Sequence, residues 1–129
     1  MRRDLGLLIL RVGVGVPMIY GHGWGKVVRI LQGDFSFADP IGLGPAASLI
    51  LAGFAEGLCS LLLILGVSVR WAAVPPMLTM AVAFLIHHAD DPFQTKEKAL
   101  LYGVAFLAMT FLGGGKYSLD KLFKRSSGE

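Results

Sequence analysis

Charged residues are scarce in this sequence, and cysteine is almost absent. Only 16% of the 129 residues are charged, whereas a soluble domain has about 25%. The single cysteine, Cys59, excludes an intramolecular disulfide and a dithiol relay within this chain. The sequence also lacks a phosphate-binding glycine loop, a nucleophile elbow and a CxxC motif, which excludes the common chemistries of soluble enzymes. No basic patch interleaved with aromatic residues is present, so nucleic acid is not an expected partner.

Hydrophobic residues dominate instead, at 54% of the chain with a mean hydropathy of +0.64. This composition predicts a single integral membrane domain over residues 1–129, surrounded by a lipid bilayer. A membrane-spanning helix needs about 20 largely apolar residues. The expected fold is therefore all-α, a four-helix membrane bundle with a short third and fourth span. The predicted spans are residues 5–24, 46–66, 71–88 and 99–113.

Prolines in the third predicted span and arginines before the first bear on how these two spans are interpreted. Pro75 and Pro76 interrupt the third span near its start, so we expect its regular helix to begin only there. Arg2 and Arg3 precede the first span, as in a signal peptide, but no small-residue cleavage site follows the apolar run. We therefore expect the first span to be retained.

Basic residues are distributed unevenly around the predicted spans. With four spans, the basic residues flanking the first, third and fourth spans fall on one side, and the two loops on the other side are close to neutral. The positive-inside rule then predicts that both termini are cytoplasmic. The basic residues in question are Arg2, Arg3, Arg70, Lys116, Lys121, Lys124 and Arg125.

A short amphipathic helix is expected after the fourth span. The span ends at three consecutive glycines, residues 113–115, and Ser118 can cap a new helix. Leu119, Leu122 and Phe123 would form one face of that helix and basic residues the other, a pattern typical of a helix lying on a membrane surface.

Four ionisable residues lie inside or at the end of apolar runs: Arg11, His22, Glu56 and His87. One Arg or Asp at the centre of a span costs roughly 2.5 to 3.5 kcal/mol, so several of them are expected to satisfy one another. At a rise of about 1.5 Å per residue, Arg11 lies about 9 Å and Glu56 about 15 Å from the cytoplasmic ends of their spans. We therefore expect an ion pair between Arg11 and Glu56.

That pair has two compatible interpretations. It can act as a clamp that fixes how two helices pack, a role that polar groups between membrane helices commonly have. Alternatively, Glu56 can donate or accept a proton beside a ligand cavity, as a proton-coupled redox or transport step requires.

Further polar groups are expected near the opposite membrane face. A glycine-rich run, residues 20–26, contains His22, Trp24 and Lys26, and the third span ends with His87. Trp24 is a candidate ligand contact, although interfacial tryptophans are commonly membrane anchors. A metal site is not expected, because no His-x-x-x-His spacing is present and the nearby lysine disfavours a cation. The groups expected at similar depth are His22, Lys26, His87 and Glu97.

The succession of short motifs closely resembles the DoxX family of small bacterial membrane proteins, in order over nearly the whole chain. The matching segments are residues 21–26 (GHGWGK), 54–56 (FAE) leading through 59–62 (CSLL), 87–93 (HHADDPF) and 115–120 (GKYSLD).

The resemblance implies a four-helix protein of the bacterial inner membrane, similar to the DoxD subunit of thiosulfate:quinone oxidoreductase. It also implies complexes with thiol-handling and superoxide-detoxifying partners for some members, and it does not assign a catalytic residue. The recurrent polar positions of the family correspond here to Arg11, His22, Lys26, Glu56, His87 and Glu97.

These observations lead to a redox-associated subunit as the first functional hypothesis. A quinone-like or thiol/sulfur-related ligand would enter between the helices, with a quinone as the cofactor considered. The alternative is a non-catalytic scaffold or assembly subunit, whose polar cluster only fixes helix packing; a small-solute carrier fits less well, because four spans without a repeat offer little for alternating access. Redox partner subunits or further copies of the chain are the expected partners, and whether the protein is an enzyme stays open. The catalytic candidates are Glu56, Arg11, His22 and His87; the candidate ligand contacts are Lys26, Glu97 and Trp24.

Overall fold

The computed structural model describes residues 1–128, which fold into helices and connecting loops with no β-strand among them. The expected all-α class is therefore confirmed. We number five helices in chain order. They are α1 (Arg2–Leu31), α2 (Pro45–Leu65), α3 (Val69–His87), α4 (Phe93–Leu112) and α5 (Leu119–Ser126).

Three of these helices, α1 to α3, are long and apolar enough to cross a membrane. The fourth helix, α4, also has 20 residues, but its first turns carry Lys96, Glu97 and Lys98. Its apolar part begins only after these charges.

The first helix is longer than the predicted span. It does not end near Trp24 but continues to Leu31, so the first part of the predicted outer loop is helical. The third helix also begins earlier than expected, at Val69, with a break at Ala73 before the two prolines. Prolines in the first turn after such a break cost no hydrogen bond, because the first amides of a helix have no partner within it.

Each of α1, α2 and α3 contains one widened, π-helical turn. These turns span Ile19–Gly23, Phe54–Cys59 and Ala83–His87. Such turns are rare and are frequently found at functional sites.

The core joins all four long helices. Met18 from α1, Leu63 from α2 and Phe106 and Met109 from α4 are fully buried in one cluster. The remaining members come from α3, and they are Val69, Ala72, Ala73 and Met80.

The predicted tail helix is confirmed. Ser118 accepts a hydrogen bond from the backbone amide of Lys121 (3.4 Å) at the start of α5. The carboxylate of Asp120 accepts a hydrogen bond from the Ser68 amide (2.6 Å), and the Asp120 amide donates to the carbonyl of Gly66 (3.2 Å). These bonds attach α5 to the turn between α2 and α3.

Candidate functional site

A cavity of about 790 Å³ opens among α1 to α4 and the loop before α2. Its wall is mostly apolar, with side chains such as Leu51, Leu78 and Val82. All three π-helical turns contribute to the wall. Its polar and charged lining residues are His22, Lys26, Ser48, Glu56, Thr79, His87, His88, Thr95, Lys98 and Tyr102.

An ion pair between Lys26 and Glu56 lies in this wall. The Lys26 Nζ is 2.9 Å from Glu56 Oε2, and the two side chains are 18% and 4% exposed. A carboxylate oxygen has two lone pairs, and the Lys26 ammonium occupies only one side of Oε2. This oxygen is therefore buried beside a cation and still able to accept a hydrogen bond.

The predicted pair between Arg11 and Glu56 is wrong. Arg11 is 1% exposed, and its guanidinium donates to the carbonyls of Leu63 (2.9 Å), Ile64 (3.0 Å) and Tyr117. The antiparallel packing of α1 and α2 sets this arrangement, since it places Arg11 beside the end of α2. Glu56 lies seven residues earlier, which is about 10 Å along the helix.

Arg11 instead holds a helix end and the tail together. Leu63 and Ile64 belong to the last turn of α2, where carbonyls lack the usual amide partners of a helix, although the Gly66 amide also donates to Leu63 (3.2 Å). A cation placed there satisfies those carbonyls and the negative end of the helix dipole. The third acceptor, Tyr117, precedes α5, so one side chain ties α1 to both segments.

Glycine at position 23 allows α1 to approach α2 at the ion pair. A Cβ on Gly23 would overlap the backbone carbonyl of Glu56. By contrast, a Cβ on Gly21, in the same π-helical turn, would meet nothing within 4 Å. Close contact at Gly23 therefore sets the distance between the helix carrying Lys26 and the helix carrying Glu56.

The histidines lie in the cavity wall but do not form one cluster. The ring of His22 meets the ring of Tyr102 edge to face, with centroids 5.8 Å apart. His87 packs against His88 (4.6 Å), and His88 Nδ1 lies 2.6 Å from Asp91. Within residues 1–128, no group of three or more His, Cys, Asp or Glu side chains is placed to hold a metal ion.

The loop between α1 and α2 covers one side of the cavity. Phe37 lines the cavity and lies close to both Lys26 and Arg29, with 5.8 and 5.9 Å from the cations to the ring centroid. Arg29 also contacts Asp34 (3.4 Å) and Ser36 (3.2 Å).

The hydrogen bonds from Ser36 hold the pKa of the Asp34 carboxyl below its ordinary value.

The sequence-predicted site residues divide into two groups. His22, Lys26, Glu56 and His87 line the same cavity. Arg11, Trp24 and Glu97 do not belong to its lining, and Trp24 instead borders a smaller apolar groove between α1 and Ile64 of α2.

Lys98 and Tyr102 of α4 are among the cavity residues that were not predicted as site residues. Lys98 lines the cavity although its neighbour Glu97 does not, and Tyr102 follows one helical turn later. The four-residue spacing of Lys98 and Tyr102 is a signal that they share one face of α4.

Comparisons with known proteins find a family and a sequence relative for this chain. A family model described as DoxX matches residues 6–89. The chain is also 34% identical, over 135 aligned positions covering 95% of each chain, to an uncharacterized protein from Haemophilus influenzae. No solved structure matches the chain. The family match covers more than half of the chain, and we conclude that this protein, with its apolar helices, is a membrane protein that belongs to the DoxX family.

Proposed function

We propose that this protein is a redox-associated subunit of the bacterial inner membrane that binds a quinone-like or thiol/sulfur-related ligand in the cavity. The observation that carries the proposal is the buried Lys26–Glu56 ion pair in an otherwise mostly apolar cavity wall. Ligand pockets typically combine an apolar lining with a few polar groups that orient the ligand.

The size and polarity of the cavity support a ligand of this class. Its volume of about 790 Å³ lies within the range of roughly 300–1,000 Å³ typical of small-molecule sites. A quinone head group has carbonyl oxygens that accept hydrogen bonds and a ring suited to an apolar wall. Lys26 can donate to such an oxygen, and Glu56 Oε2 can accept from a hydroxyl or thiol.

Proton transfer is the role that the ion pair would have. A quinone takes up protons with electrons, and those protons need donors at the site. Lys26 and Glu56 together can hold and exchange a proton, because they are in contact and Lys26 keeps some solvent exposure. His22 lines the same cavity and is a second candidate proton carrier. The electrons would come from the thiol or sulfur ligand or from a partner subunit.

The membrane arrangement is part of the proposal. Helices α1 to α4 would each cross the bilayer, with both termini and the tail helix on the cytoplasmic side. The basic residues near the start of α1 and along α5 support that orientation. Redox partners or further copies of the chain would bind within the membrane.

The proposal is tested by measuring quinone reduction by the purified protein in lipid, with thiosulfate and a small thiol offered as donors. Glu56→Gln should abolish donor-dependent turnover, because the amide keeps the shape of the side chain but cannot exchange a proton. Asp90→Asn is the matched control, since it removes an exposed carboxylate outside the cavity lining. Turnover in Glu56→Gln equal to wild type would contradict the mechanism.

A second candidate function is a non-catalytic scaffold, and the Arg11 network favours it. The buried Arg11 guanidinium donates to three carbonyls in two segments, and these bonds fix the packing of the helices and the tail. A scaffold predicts no turnover in any variant and a loss of co-purifying partner subunits in Arg11→Leu. Full partner recovery by Arg11→Leu would count against it.

A further inference from the structure

Beyond the cavity, the end of the molecule that carries α5 has an unusual balance of charge. Among residues 1–128, the two carboxylates at this end accept hydrogen bonds from backbone amides: Asp4 accepts from the Lys116 amide (2.9 Å) and Asp120 from the Ser68 amide (2.6 Å). The exposed basic side chains at this end form no ion pair among the described residues. They include Arg2, Arg3, Lys116, Lys121, Lys124 and Arg125.

The tail helix also exposes apolar side chains. Leu122 and Phe123 are each 57% exposed, and no described residue covers them. At 100° per residue they lie on one face of α5 with Leu119, and the three basic residues of the helix lie on the opposite half. A helix of this kind lies at a membrane interface, with its apolar face in the acyl boundary and its basic groups near head groups.

Hydrogen bonds within the protein fix the position of α5. Arg11 donates to the carbonyl of Tyr117, and Asp120 bonds to the turn after α2 through its amide and its carboxylate. The helix is therefore presented in one orientation before any lipid binds, which lowers the entropy lost on binding.

We propose that α5 and the basic residues around it form a binding site for anionic phospholipid head groups of the adjacent leaflet. Charge complementarity supports this occupant, because the surface is basic, unpaired and next to exposed apolar side chains. Each basic residue near an anionic membrane surface strengthens binding by about fivefold. This site does not depend on the proposed function of the cavity.

The test is native mass spectrometry of the full chain in detergent, incubated with equal amounts of phosphatidylglycerol and phosphatidylcholine. Wild type should retain phosphatidylglycerol in preference, and the triple variant Lys121→Gln, Lys124→Gln, Arg125→Gln should lose about two orders of magnitude of that preference. The charge-preserving variant Lys121→Arg, Lys124→Arg, Arg125→Lys is the matched control and should keep it.

Two outcomes would overturn the proposal. One is equal retention of the two lipids by wild type, or an unchanged preference in the glutamine variant. The other is a lipid-free dimer that the Phe123→Ser variant abolishes, which would assign the apolar face of α5 to a second copy of the chain. Because all substituted residues are exposed, the variants should fold, and an unchanged unfolding temperature verifies this.

Discussion

The two ends of the packed helices α1 and α2 stabilise their buried charges in different ways. At one end Arg11 donates to backbone carbonyls, and these bonds fix the end of α2 and the segment before α5. At the other end Lys26 and Glu56 neutralise each other in the wall of a cavity. A guanidinium bonded to carbonyls cannot exchange a proton at neutral pH, whereas a lysine and a carboxylate can. The first end is therefore structural, and the second is suited to chemistry.

The largest effect should come from removing Arg11. Arg11→Leu removes the donor of the Ile64 and Tyr117 carbonyls and leaves the Leu63 carbonyl with only the Gly66 amide, and we expect a loss of about 4 kcal/mol in unfolding free energy. Unfolding in detergent measures this loss. Limited proteolysis should also show faster cleavage between α4 and α5, since the tail loses one of its attachments. An Arg11→Leu variant that is as stable as wild type, with a tail equally resistant to proteolysis, would show that Arg11 does not have the structural role assigned to it.

Breaking the ion pair should have the next largest effect on stability. Lys26→Met leaves Glu56 buried without a counter-charge, and the expected loss is about 3 kcal/mol. Combining it with Glu56→Gln should restore part of that stability, because no uncompensated charge is left. Unfolding free energies of wild type, the two single variants and the double variant form a double-mutant cycle. Strictly additive losses of unfolding free energy would show that the two side chains do not interact.

Enlarging Gly23 should separate the two helices at the ion pair. Gly23→Ala forces a methyl group against the backbone carbonyl of Glu56, and we expect a loss of about 2 kcal/mol from overpacking. Gly21→Ala in the same turn meets open space and should cost far less. Unfolding temperatures of the two variants test this directly, and equal values would show that the close approach at Gly23 does not matter.

The smallest effect should be pH-dependent and lie outside the helices. Because hydrogen bonds from Ser36 lower the pKa of Asp34 in the folded chain, their stabilisation is present above the ordinary pKa of 3.8 and disappears as the pH falls through the lowered folded-state value. The difference in unfolding temperature between wild type and Ser36→Ala should therefore shrink when the pH is lowered from 7 to 3. A difference that does not change with pH would exclude this linkage.

Much of the helical structure could be predicted from hydropathy, and the end of the first helix is an exception. The second helix matches its predicted span closely, because its apolar run ends at Gly66, whose φ of +79° ends the helix. The first helix was predicted too short, because the predicted span covers only the apolar run up to Trp24, whereas the helix continues to Leu31. Packing of Gly23 on α2 favours continuation of the helix, and a single sequence does not reveal that contact.

The candidate site could be predicted only as a set of residues. His22, Lys26, Glu56 and His87 stand out because polar groups are rare in apolar runs, and all four line the cavity. Their pairing depends on the antiparallel register of α1 against α2. Counting depth from the helix ends could not supply that register, so Arg11 was assigned the wrong partner.

The sequence by itself determined that this protein is helical and lipid-compatible, and which ionisable groups lie in or next to its apolar runs, since composition and periodicity follow from residue types alone. Tertiary structure decided which buried charge is structural and which lines a cavity. The reason is geometric: a guanidinium or carboxylate can reach only groups within a few ångströms, and helix register and close contact at Gly23 determine which groups those are.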